Sequence, residues 1–351
     1  MYLTNDFIYP ALLTGYVREG LSQFPQNQFT LDRWLPNRTV GDIDYRFASG
    51  GTGLADAAQF RTYDAESVIG RRQGLTRVTG ELPPISIKTR LSEYDQLRIK
   101  NGGLTASNQE VINAILNDGL KNARSIEARM EFARGDALTN GSVTISENGV
   151  VASVSFGRAG GMSVTAGTLW STTATADPFG DLDTWRNAYV AQNGVEPGAI
   201  LMSRSTLALM RRGTNVAKAV FPAGGVTPTL LSQNILNDAF EAFGLPPLFI
   251  YYAQANTYAG TATPVLPSNK VFLLPAPVDP TDFEGTQLGG TFWGTTAESQ
   301  DPRYGLEDAD QPGIVVGSYK DEDPQGLWTK ASAIGLPILA NPNLAMVATV
   351  A

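Results

Sequence analysis

TASNQEVINAILNDGLKNARSIEARMEFARG, residues 105–135, is the only long, well-signalled helix in a chain otherwise rich in short strands and Gly/Pro turns. Ser107 stands three residues before Glu110, the spacing at which each side chain reaches the other's backbone N–H and satisfies two orphan donors of a helix start. Apolar or small residues recur at Ile112, Leu116, Gly119, Ala123, Ile126, Met130 and Ala133. Lys121, Arg124, Arg129, Glu131 and Arg134 fall mostly on other faces, and Gly135 is the expected stop. At about 1.5 Å per residue the rod is on the order of 40 Å long. The pattern predicts an amphipathic helix laid across a sheet. A coiled-coil seam would be thin at Gly119, Ala123 and Ala133, and Glu127 and Glu131 argue against a basic groove.

Composition narrows the chemistry. The chain has 351 residues, no cysteine and no histidine. Disulfides, thiolate nucleophiles and cysteine-bound zinc are therefore excluded, and a Ser-His-Asp triad or a histidine-bound metal loses its central residue. Catalysis would rest on carboxylates, Lys or Tyr. No apolar run reaches the roughly 18 residues of a membrane helix, and the first residues show no secretory signal. Charge is uneven: 16 Lys and Arg stand against 15 Asp and Glu up to Gly135, and 10 against 19 beyond it. The second part offers no basic face in bulk, so DNA would be tolerated, not gripped.

Outward from the helix, residues 1 to about 45 scatter Phe7, Ile8, Tyr9, Leu12, Leu13, Phe24, Phe29, Trp34 and Leu35 among Gly and Pro without a sustained period. Such a segment is expected to lie along something else, either the rest of the chain or another subunit. Residues 44 to about 100 read as two long strands with an irregular tip: Asp44–Phe47, Gln59–Tyr63 and Ile85–Leu91 alternate with a period of two. The glycines at 50–53 and at 70 and 74 form corners; no Gly-Lys-Ser/Thr follows them, which disfavours a phosphate loop. A hairpin this long and polar predicts a projecting arm that pairs with neighbours.

Beyond the helix, Val143–Ile145 and Val150–Phe156 flank an Asn-Gly turn and predict a hairpin. Strand and helix then alternate, the mark of a separate α/β portion: a helix over 181–192, a buried strand at Ala199–Met202, helices over 203–212 and 229–243, and strands at Leu248–Tyr252 and Val271–Leu274. Residues 213–228 read as a loop. The last seventy residues return to β structure, with strands at 314–316, 327–329, 338–339 and 344–347. The acidic turns at Asp308 and Asp321 fail as calcium loops, with Tyr319 and Ser332 where a bidentate Glu belongs. Asp181 and Asp183 have no spacing that would set them across a cleft.

This order of parts resembles the major capsid proteins of tailed bacteriophages, the Hong Kong 97-type fold, and within it the lambda-type major head protein family. Three stretches carry the resemblance: Leu91–Glu131, Trp170-Ser171 with Asp177-Pro178 and Asp181-Leu182, and Ala331–Pro342. The resemblance implies an α+β fold with an N-terminal arm (1–43), an extended β-hairpin loop (44–100), a peripheral domain with the long spine helix and a hairpin (101–156), an inserted α/β axial domain (157–275) and a β return to the peripheral domain (276–351). It further implies hexamers and pentamers closed into an icosahedral virion shell around double-stranded DNA, assembled in the host bacterial cytoplasm without a membrane. A scaffolding protein, a portal and a decoration protein are the implied partners. No cofactor or metal is expected, and no Lys-to-Asn crosslink, since nothing marks Lys88 or Lys100 as reactive. Contacts between copies are expected at Phe7, Tyr9 and Trp34 in the arm and at Arg61, Arg71, Arg72, Lys88 and Arg90 in the loop. A tail-tube subunit and a carboxylate-dependent hydrolase stay open as rivals; the tube should lack the long helix.

Overall fold

The computed structural model describes residues 2–4, 6–22, 29–49, 76–100, 107–147, 150–221, 229–257, 260–280 and 286–351. Its longest element is the helix α3 (Ser107–Asn140), about 50 Å from end to end at the usual rise. The buried stripe runs through Val111, Ile115, Gly119, Ala123, Ile126 and Met130. Ile112 and Leu116 are only half-buried, so the face is set one residue back in the first two turns.

Gly135 is not a stop. The helix passes straight through it because a side chain there would collide with the main chain of Val265, whose carbonyl oxygen lies 2.7 Å from the position of a Cβ. Two further apolar residues, Ala137 and Leu138, then enter the core. The end comes at Gly141, with φ +65°, whose N–H donates to the Ala137 carbonyl. Arg158 closes that end by donating to the carbonyls of Ala137, Leu138 and Thr139, and burial pulls its pKa down to about 10.

α3 lies on a sheet built around β16 (Gln325–Leu339). β15 (Val315–Glu322) returns along its first half and β14 (Gly289–Gly294) pairs with its second. β5 (Pro84–Ser92) lies on the edge opposite β15, in register from Gly326↔Ser92 to Ile334↔Pro84. The strand expected within the projecting loop is thus part of the body. Its alternation puts Ile85, Thr89 and Leu91 toward the body and Ser86, Lys88 and Arg90 outward. The projection itself narrows to the hairpin of β3 (Asp44–Ser49) and β4 (Thr76–Glu81). The strand read at Gln59–Tyr63 and the glycine corners lie outside the described residues, and the helix α2 (Glu93–Lys100) follows β5.

The first residues fold onto their own chain. β1 (Tyr2–Leu3) adds to β15, β2 (Asn37–Thr39) runs parallel to β14, and α1 (Pro10–Ser22) packs Leu13 and Val17 into the α3 core. Proline suits the first helical position, so Pro10 starts this helix in a segment whose sequence shows no sustained period. Thr14 Oγ1 both donates to the Val316 carbonyl and accepts from its N–H. The stripe is hidden in the sequence because Tyr9, Leu12 and Tyr16, equally apolar, face outward.

The second body is a sheet in the order β10 (Leu248–Tyr251), β9 (Ala199–Ser203), β13 (Lys270–Leu274), β17 (Met346–Thr349) and β8 (Ser163–Thr165). With it go α4 (Pro178–Asn193), α5 (Arg204–Arg211), α6 (Thr214–Val220) and α7 (Gln233–Ala242). Asp177, Ser203 and Ser232 cap α4, α5 and α7 through side-chain oxygens; α6 occupies part of the expected loop. The chain end departs from the division read in the sequence. Met346, Val347 and Ala348 are all buried, and their strand lies inside the sheet, paired with β13 on one edge and β8 on the other. The hairpin β6 (Ser142–Glu147) and β7 (Val150–Ser155) forms as expected, its turn lying outside the described residues. A small hairpin, β11 (Gln254–Asn256) and β12 (Ala262–Pro264), projects from this body.

Two of the helical glycines, Gly15 and Gly135, predict opposite responses. Gly15→Ala meets nothing within 4 Å and should stabilise the chain by up to about 1 kcal/mol. Gly135→Ala gains the same propensity but overpacks against Val265, at about 1–3 kcal/mol, and should lower the denaturation midpoint. Equal stabilisation by both would refute the role given to Gly135.

Candidate assembly surfaces

Glu131 and Arg134 lie one helical turn apart, a spacing that in sequence reads as a solvated pair. They are instead 0% and 1% exposed. Arg134 donates Nη1 to Glu131 (2.9 Å), Nε to Thr291 Oγ1 (2.9 Å) and Nη2 to Asn37 Oδ1 (2.7 Å). Glu131 Oε1 accepts the Leu31 N–H (3.0 Å) and the Tyr251 hydroxyl (2.7 Å). Trp293 Nε1 donates to the same Asn37 oxygen, and the Thr291 hydroxyl donates to the Leu35 carbonyl. One ion pair therefore ties α3 to the segment 31–37, to β14 and to β10 of the other body. A second carboxylate, Glu127, stands 3.8 Å from Arg134.

Electrostatics follow from the crowding of acids around one cation. Burial opposes the charge on Arg134, but Glu131, Glu127 and Asp32 outweigh it and its pKa is raised. Burial raises the carboxyl pKa of Glu127 and of Asp32, each partly offset by Arg134. Burial and the Glu131 charge push the Tyr251 hydroxyl up, so it stays a donor. Beside this junction a cleft of about 620 Å³ is lined by Asp32, Arg33, Arg124, Glu127 and Asp279.

A larger groove, about 1400 Å³, runs along the outer face of α3. Lys121, Ala128 and Phe132 form its floor, Ile85 and Ile87 of β5 one wall, and Thr263 and Val265 the other. Among the described residues no strand pairs with the outer edge of β5. Ile87 at its middle is 38% exposed. An unpaired edge of nine residues beside an apolar groove is a template for another segment.

Of the residues expected in contacts between copies, Tyr9 is exposed, next to Leu12 and Tyr16 on one side of α1. Phe7 is half-buried against the α1–α3 core. Trp34 is 1% exposed, edge-on to Phe249 with its Nε1 donating to the Pro275 carbonyl. It fills its own chain's core and in this conformation is not open to a neighbour. Lys88 and Arg90 lie over the Trp328 ring, 4.4 and 5.7 Å from its centroid, which pins two basic side chains along the β5 edge. Arg61, Arg71 and Arg72 lie outside the described residues. The exposed pair Tyr94 and Leu97 on α2 was not anticipated; its i, i+3 spacing was visible but too short to separate from noise.

The junction makes two measurable predictions. Tyr251→Phe and Glu131→Gln should couple in a double-mutant cycle by about 1–3 kcal/mol in urea unfolding; additive effects would mean the hydroxyl–carboxylate bond contributes nothing. Asp32 and Glu127 have folded-state pKa values above their unfolded ones, so the folded state holds their protons more tightly. Their contribution is most favourable below about pH 4 and is lost as pH rises through the raised values. Asp32→Asn with Glu127→Gln should therefore stabilise the chain at neutral pH relative to the parent, with the advantage vanishing in acid.

The sequence matches the family model described as phage major capsid protein E over residues 22–350. Its backbone is similar to a prophage protein of E. coli CFT073 provisionally described as a capsid protein, with TM-score 0.62, 14% identity and coverage of 98% of this chain and 99% of that one. It is also similar to a phage-related protein from Bordetella bronchiseptica RB50, with TM-score 0.59, 14% identity and 98% coverage of both chains. No curated protein sequence matches.

Proposed function

The chain belongs to the phage major capsid protein E family, and from that premise we propose how its surfaces build a shell. It is a capsid subunit of the Hong Kong 97-type fold, a structural protein of the virion and not an enzyme. Capsid subunits of this kind associate with copies of themselves. Among the described residues no helix is long and apolar enough to cross a membrane.

In the proposed arrangement, copies join as hexamers and pentamers closed into an icosahedral shell around double-stranded DNA, in the host bacterial cytoplasm. The projecting hairpin β3–β4 reaches a neighbour, and the groove between α3, β5 and the β11–β12 hairpin receives an extended segment of another copy. The observation that carries this reading is the nine-residue unpaired edge of β5 beside a groove lined by Phe132, Ala128 and Ile87. Backbone groups along such an edge seek partners, and the groove supplies apolar cover for alternate side chains. The bodies 101–156 with most of 276–351, and 157–275 with the terminal β17, act as the peripheral and axial parts of the subunit. A scaffolding protein, a portal and a decoration protein are the further partners proposed. The rival tube subunit was expected to lack the long helix that α3 provides.

Electron microscopy of the purified chain should show capsomers or shells. Ile87→Asp and Ala128→Glu, which place charge on the groove without entering the core, should leave a folded subunit by circular dichroism that no longer assembles. Normal shells from both variants would exclude the groove as an interface.

A further inference from the structure

Between Glu196 and Asp238 the sequence contains no acidic residue and four basic ones, Arg204, Arg211, Arg212 and Lys218. This is the reverse of its surroundings, since beyond Gly135 acidic residues outnumber basic ones by 19 to 10. Arg204 and Arg211 fall on α5, Arg212 caps its end and Lys218 falls on α6, and the two helices pack against each other. Arg211 is used internally: it is half-buried and its Nε donates to the Leu231 carbonyl. Arg204, Arg212 and Lys218 are exposed, and none of the three forms an ion pair with a described carboxylate.

Three carboxylates of a neighbouring helix border this surface, each accepting a bond from a neutral donor. α4, which packs on α6, carries Asp177, Asp181 and Asp183. Asp177 accepts from the Gly180 N–H, Asp181 from Trp170 Nε1 and Asp183 from Asn187. Arg204 is held at the surface by its guanidinium stacking 4.6 Å over the half-exposed Tyr252 ring. Ser205 and Thr214, beside the cations, are small and exposed, while Leu207, Met210 and Val216 turn into the core.

Resting on the shell reading, we infer that the acid-free surface of α5 and α6, centred on Arg204, Arg212 and Lys218, is where the axial body meets the phosphate backbone of the enclosed DNA. A contact between copies would be expected to match each cation with a carboxylate. A polyanion asks for positive charge free of ion pairs and with no fixed register, which is what these two helices offer. The remaining acidic surface of the second half would repel the duplex, so this one patch would set the closest approach.

The test uses the full-length unassembled chain and a short mixed-sequence DNA duplex, with binding followed by fluorescence anisotropy over a salt series. Assembly of the same proteins is scored separately by electron microscopy. The triple variant Arg204→Gln, Arg212→Gln, Lys218→Gln should form normal shells but bind duplex at least tenfold more weakly. Its salt slope should be shallower by about 0.9 per lost phosphate contact. Arg204→Lys with Arg212→Lys should restore binding, and Arg98→Gln with Arg303→Gln, away from the patch, should not reduce it. Wild-type chain that ignores the duplex, or a triple variant that binds it normally, overturns the inference. A triple variant that stops assembling but still binds DNA overturns it too, and makes the patch an interface between copies. Failure of the wild-type chain to form any shell would instead remove the shell reading, whatever the DNA result.

Discussion

One buried ion pair, Arg134 with Glu131, holds together parts of the chain that lie far apart in sequence. Its ligands come from residue 31, residue 37, residue 251 and residue 291, so both sheets and the N-terminal segment converge on a single turn of α3. Removing either charge would strand the other in the core, at about 3–5 kcal/mol. A hydrophobic replacement of the whole cluster would cost far less. The pair is therefore better understood as fixing how the two bodies sit than as a source of net stability.

That constraint matters because the two bodies are interleaved in sequence. The first residues add to the peripheral sheet through β1 and β15, and the last residues add to the axial sheet through β17. Neither body is one continuous segment. The two cores share α3, whose early turns pack on α1 and the β16 sheet while Ala137 and Leu138 reach the axial core. The last turns of α3 reach that core because the helix runs on to the end set by Gly141 and Arg158.

Much of this was legible before any coordinates. The spine helix, the 142–155 hairpin, the buried strand at 199–202 and the capped helix after Asp177 all carry strong local signals, and the order of parts pointed to the capsid fold. What was hidden has identifiable causes. α1 is hidden because apolar residues occur all around it, and Gly135 because a glycine needed for close approach looks the same as a glycine that ends a helix. β5 was placed in the projection because its period is correct for any sheet and only its partner, β16, distinguishes the two. The junction at Glu131 and Arg134 was least visible of all. Its members, 100 or more residues apart in part, become neighbours only after both sheets have formed, and an acid and a base three residues apart give no sign of burial.

Hydrogen–deuterium exchange under native conditions tests the junction most directly, by comparing the Leu31 amide, bound to the Glu131 carboxylate, with amides of α3 near Arg134 and of β9 and β10. The account predicts that these sites open together, with common protection that falls together in Arg134→Met. A Leu31 amide that exchanges freely while the axial strands stay protected, or a variant that loosens only its own turn of helix, would show that the two bodies are held by something other than this pair.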